Sequence, residues 1–259
     1  MWAKTRLILA SIIPSDSDMR FTPRPFLAFL LASILILTFS CKDIVFDNPL
    51  DPNASKDVVK VIRVLDTLFK GKGDIAYDGE KFWKINPYGN LTAFDRESGT
   101  TIRSFYGDPG TGLVFFLDHI YICNAQGENV LIKVDPLSGD TVNRISTRDL
   151  YPGYLAASDG LLIVYDVRSA GIFQYNPDRG DAIRLFAVPG INIGGMAIYK
   201  GGLLISDMNT DSLYLFTLSG AVLNVFASPA AGISGLAVDN SDYVYLITLD
   251  GKLYKVSLP

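Results

Sequence analysis

From Val59 to the C-terminus, apolar residues come in short runs of four to six, broken every few positions by Gly, Asn, Asp or Ser. In one stretch the runs Met196–Tyr199, Leu203–Ser206, Ser212–Thr217 and Ala221–Phe226 are separated by Lys200-Gly201-Gly202, by residues 207–211 and by Leu218-Ser219-Gly220. Val, Ile, Leu, Tyr and Phe dominate the runs and turn-forming residues fill the gaps, so the pattern predicts four short β-strands. No window from Ile75 to Leu258 sustains the apolar stripe of period 3.6 that a helix needs.

The same block recurs. Ala76, Val114, Ala156, Ala197 and Ala237 fall 38, 42, 41 and 40 residues apart; Leu91, Leu131, Ile172, Leu213 and Leu253 are spaced 40, 41, 41 and 40. Five units of four strands at this period predict an all-β, five-bladed β-propeller with four-stranded blades. The last unit stops at Leu258-Pro259 after its third strand, while Val61-Ile62-Arg63-Val64-Leu65 aligns with the fourth strands of the other units. From Leu65 to Ala76 is eleven residues, the interval that also separates Ile145 from Ala156 and Phe226 from Ala237. Residues 58–66 are therefore expected to complete the last blade and close the ring, which removes the open edge between the two ends. The propeller then spans 58–259. Small residues at four of the five positions of the alanine column suit innermost strands, and Trp83, Tyr121, Tyr214 and Tyr254 are expected further out, between blades.

The residues ahead of the repeats read differently. Arg20 and Arg24 precede a largely apolar run of fifteen residues, Phe26 to Ser40, the layout of a secretory signal peptide over 1–40 whose start falls at Met19. The run ends at Ser40-Cys41, which resembles a bacterial lipoprotein signal; the resemblance implies a diacylated Cys41 as the mature N-terminus and a stable membrane anchor. Residues 41–57, with Asp47-Asn48-Pro49-Leu50-Asp51-Pro52-Asn53, are polar and proline-broken and read as a disordered linker, similar to the tethers of such lipoproteins. The expected location is the bacterial cell envelope, on its periplasmic or surface side.

Charge and composition narrow the chemistry. Without residues 1–40 the chain holds 19 basic and 25 acidic residues, a balance that argues against nucleic acid as partner. There is one histidine, His119, in a turn of the second unit, and no HExxH, CxxC, GxSxG or glycine-rich phosphate loop occurs. With Cys41 lipidated, Cys123 stands alone in a strand and reads as a small core residue.

Two sets of residues invite a binding role. Asn86, Asn124, Asp166 and Asp207 each follow the alanine-column residue of their unit by ten positions, with Thr248 at eleven in the fifth. Such a column would ring the axis with oxygens that suit a divalent cation such as calcium, or it would cap the following turns. Loops opening on the same face carry Arg148, Tyr151, Tyr154, Arg168, Asn192 and Asn209, side chains suited to a protein or glycan surface.

Gly-Gly-Met196-Ala-Ile and Ile205-Ser-Asp-Met-Asn209 are similar to NHL-type propeller repeats. The resemblance implies either a noncatalytic binding or scaffolding module or, as in gluconolactonase-type propellers, a divalent-cation-dependent hydrolase of small esters or lactones. The expectation drawn from the whole sequence is a lipid-anchored binding module, anchored through Cys41, for an envelope protein or glycan. The hydrolase, with Asn86, Asn124, Asp166 and Asp207 holding its metal, is the alternative.

Overall fold

The computed structural model describes residues 56–67, 70–124 and 126–259; the segment read as a signal peptide, Cys41 and the stretch read as linker up to residue 55 lie outside them. All regular structure among the described residues is β-strand, arranged as five antiparallel sheets of four with one short added strand. The innermost strands are Ile75–Tyr77, Gly110–Phe116, Pro152–Ser158, Ile193–Tyr199 and Ile233–Val238. Next outward lie Phe82–Ile85, His119–Asn124, Leu161–Asp166, Gly202–Asp207 and Val244–Thr248, so the five-bladed propeller is observed with its blades in sequence order.

Closure follows the expected plan. Lys60–Asp66 pairs antiparallel with Lys252–Ser257, matching Val64 to Tyr254 and Leu65 to Leu253, and becomes the fourth strand of the fifth blade. Thr67 ends it by donating both its N–H, at 2.9 Å, and its hydroxyl, at 2.6 Å, to the Gly251 carbonyl. The segment 58–66 is divided, however. Asp57–Val58 pairs in parallel with the outer strand of blade four, Asp57 opposite Phe226 and Val58 opposite Ala227, while the buried Val59 marks the crossing to blade five. Lys56 and Asp57, at the end of the stretch read as linker, are held there too: Lys56 Nζ donates to Ser212 Oγ at 2.6 Å and Asn224 donates to Asp57 at 2.8 Å.

The core is distributed between blades. Because successive side chains of a strand point to opposite faces, and each blade has a neighbour on both sides, the second strands are buried on both faces; Leu203, Leu204 and Ile205 are all fully enclosed. Five separate apolar clusters result, one per junction: Trp83, Ile85, Leu113 and Ile120 join blades one and two, and Ile75, Phe82, Ala237 and Tyr245 join five and one. Trp83, Tyr121 and Tyr214 are buried between blades and Tyr254 half-buried, as the aromatic positions predicted. Cys123 is free and buried within the cluster between blades two and three.

Deleting residues 58–66 should replace the cooperative thermal transition with a broad, shallow one, because it strips the last blade of its outer strand and its contacts with blade four. A deletion variant with the parent's sharp melt, followed by circular dichroism, would contradict closure by this segment.

Candidate functional site

Two cavities lie on the propeller axis, since each is lined by all five blades. The upper mouth, about 150 Å³, is bordered by Lys72, Gly73, Thr111, Gly153, Tyr154, Val167, Met208 and Ser234. The lower, also about 150 Å³, is lined by the innermost strands, including Ala76, Val114, Ala156, Ala197 and Ala237. The alanine column thus surrounds the axis, as its small side chains require.

Asp74 separates the two. It follows Gly73 of the mouth and precedes Ile75 of the lower cavity. The equivalent positions in the other blades are Gly112, Tyr154, Gly195 and Gly235. The glycines are required by close approach: a Cβ on Gly235 would stand 2.8 Å from the Ile75 nitrogen, and one on Gly195 would stand 2.5 Å from that of Leu236. At this level only Asp74 and Tyr154 carry side chains. The Asp74 carboxylate accepts the N–H of Ile75 at 2.9 Å, of Leu236 at 3.2 Å and of Leu113 at 3.4 Å, so one side chain ties blades one, five and two.

Charge is unusually concentrated beneath the mouth. Asp74 is fully buried, and burial raises its pKa well above the ordinary carboxylate value against the pull of its three amides and of Lys84. Lys84, in the second strand of blade one, is buried as well; desolvation lowers its pKa to about 8, partly offset by the Asp74 charge. Among the described residues its Nζ has no hydrogen-bond partner. Burial likewise pushes the Cys123 thiol and the Tyr154 phenol up, with the Asp74 charge adding to both.

The column of oxygen-bearing residues does a local task in every blade. Asn86 Oδ1 accepts the N–H groups of Tyr88 and Asn90, and Asn124 Oδ1 that of Gln126. Asp166 takes the N–H of Tyr151 at 2.8 Å and of Ser169 at 3.1 Å, together with the Ser169 hydroxyl. Asp207 takes the N–H of Asn192 and of Asn209, each at 3.0 Å, and the Thr210 hydroxyl at 2.7 Å. Thr248 bonds Asp250 and the Lys252 backbone. Among the described residues no three His, Cys, Asp or Glu side chains converge as a metal set.

The loop residues divide. The Arg168 guanidinium lies over the Tyr151 ring, 3.2 Å from its centroid, and Asn192 donates to Asn209 at 3.1 Å, so blades three and four each place a polar pair on the mouth face. Tyr154 lines the mouth itself. Arg148 is turned away, its guanidinium packed over the Gly180 turn of the next blade. Asp74 and Lys84 were not among the residues singled out from the sequence; the available signals were a carboxylate in a column otherwise of Gly and Tyr, and a lysine inside the apolar run Phe82–Ile85.

No family model matches the chain, and no curated protein matches it. Its fold is similar to the crystal structure of Myxococcus xanthus glutaminyl cyclase, with a TM-score of 0.64 and 15% identity over 78% of this chain and 97% of that one. At that identity the likeness establishes the propeller fold alone. BamB from Moraxella catarrhalis aligns with a TM-score of 0.42 and 14% identity over 71% of this chain and 69% of its own, too distant to bear on the site.

A base whose pKa is lower folded than unfolded sheds its proton on folding, so stability rises with pH between the two values. For Lys84, lowered from 10.5 to about 8, the penalty is complete below about pH 8 and amounts to about 3 kcal/mol. Urea unfolding at pH 8 and pH 9.5 should therefore show the stability difference between parent and Lys84→Met moving in the parent's favour by about 1 to 2 kcal/mol; a pH-independent difference would refute a buried ammonium. Asp166→Ala and Asp207→Ala should each cost about 1–3 kcal/mol through their stranded amides, and wild-type melting temperatures in either variant would show those bonds to be dispensable.

Proposed function

We propose that this chain is a lipid-anchored, noncatalytic binding module of the bacterial cell envelope that recognises a protein or glycan through the mouth face. The observation carrying the reading is the mouth: all five blades contribute to it, and at about 150 Å³ it is smaller than the roughly 300–1,000 Å³ of sites that enclose a small molecule. It suits one projecting group of a larger ligand whose remainder lies on the rim. The rim has the mixed chemistry of a recognition surface, with an arginine–tyrosine stack and an asparagine pair held in fixed geometry. Asp166 and Asp207 support binding over metal-dependent hydrolysis, because their oxygens are already engaged by the turns they cap.

The anchor is supported by Arg20, Arg24, the apolar run and Ser40-Cys41. Lys56 is hooked to Thr210 and Ser212, in the turn whose neighbour Met208 borders the mouth. A tether from Cys41 would join the domain at the rim of its recognition face.

Val167 is half-exposed and borders the mouth, whereas Leu137 is exposed in the turn between the third and fourth strands of blade two, at the opposite end of the blades. Glycan and peptide arrays probed with the purified protein should give ligands whose affinity falls by about tenfold or more in Val167→Trp and is unchanged in Leu137→Trp. If both variants melt as the parent does and Val167→Trp binds every array ligand normally, the mouth is not the recognition site.

A further inference from the structure

In an antiparallel pair, residues alternate between those whose N–H and C=O face the partner strand and those whose groups face away from it. The Asp74 carbonyl accepts the Ile85 N–H at 3.3 Å, so the next residue, Ile75, turns its own N–H away from the blade, toward the axis. Leu113, Leu155, Met196 and Leu236 hold the same place in their blades, opposite Ile122, Val164, Ile205 and Leu246. The axis therefore carries, at one level, a ring of five inward-facing amides. Asp74 takes three of them, and those of Leu155 and Met196 face the axis from the other side.

A ring of N–H donors is complementary to an anion, as in other backbone nests. An independent feature points the same way. Lys84 Nζ, on the strand next outward, is buried without a hydrogen-bond partner among the described residues, and its charge interacts with that of Asp74, so a buried positive charge lies within electrostatic range of the ring. The lower cavity, about 150 Å³ and bordered by Ile75, Leu113, Leu155, Met196 and Leu236 themselves, brings solvent-sized species to the ring.

We propose that this level of the axis is an anion-binding site for a small carboxylate, which the folded chain fills with its own Asp74 and which a free carboxylate of formate size occupies once the Asp74 side chain is removed. The site is separate from the mouth above it, and it neither requires nor supplies the ligand proposed there.

The test is titration of carbon-13-labelled formate, followed by line width and by melting temperature, into the parent, Asp74→Ala and Asp74→Asn. Asp74→Asn keeps a side chain of the same size, with an oxygen for the Ile75 and Leu236 amides, and so serves as the filled, uncharged control. Saturable broadening and a rising melting temperature are expected in Asp74→Ala, with the parent and Asp74→Asn, whose side chains still fill the site, at least about tenfold weaker. Formamide, neutral and of the same shape, should have no such effect. An Asp74→Ala variant that responds to formate no more than the parent or Asp74→Asn does, or that responds equally to formamide, would overturn the proposal. Should Asp74→Ala be recovered unfolded, refolding it with formate or with formamide separates the same two outcomes: a higher folded yield with formate supports the site, and equal yields overturn it.

Discussion

A closed ring of blades faces its axis with five strand edges whose amides have no strand to pair with, and the carboxylate of Asp74 is what gathers three of them. Its bonds to Ile75, Leu113 and Leu236 join blade one to the blade made from both ends of the chain and to the blade that follows. Glycines at positions 112, 195 and 235 let the other innermost strands approach one another directly, and a carboxylate in one junction then spans the gap that a side chain opens. Burying that charge is costly. The amides and the neighbouring Lys84 offset part of the cost, and the raised Asp74 pKa records the rest. The division of the axis into an upper mouth and a lower cavity is a direct result.

What the sequence disclosed was what the repeat repeats. Blade number, strand order, the axial alanine column and the return of the N-terminal strand all depend on spacing, and spacing survives divergence in side-chain chemistry. Ring closure was legible because Leu65 and Ala76 keep the interval of every other blade. The division of 58–66 was not, because the two-residue ladder at Asp57–Val58 rests on partners in blade four that no local pattern announces. Asp74 and Lys84 were missed for the opposite reason: they are departures from the repeat, and aligning units for their common features averages departures away.

The Asn and Asp column illustrates how a symmetric set of oxygens can arise from a local task repeated in every blade. Five oxygen-bearing side chains at equivalent places must encircle the axis, but each is directed at the N–H groups of its own turn, as the bonds of Asn86, Asp166 and Asp207 record. Their recurrence reflects a turn that every blade has to make. The polar features that distinguish one blade from another, such as the Arg168–Tyr151 stack, carry more information about recognition than those all blades share.

The short parallel ladder between Asp57–Val58 and blade four also has a mechanical meaning. Were the domain tethered through the residues before Lys56, tension would meet the Lys56 bonds to Thr210 and Ser212 and this two-residue patch before it could reach the strand that seals the ring. Under such a load the patch would peel while Lys60–Asp66 stays paired with Lys252–Ser257, so the attachment to blade four would act as a strain relief, letting a tethered domain be tugged and swivelled without its seam being opened.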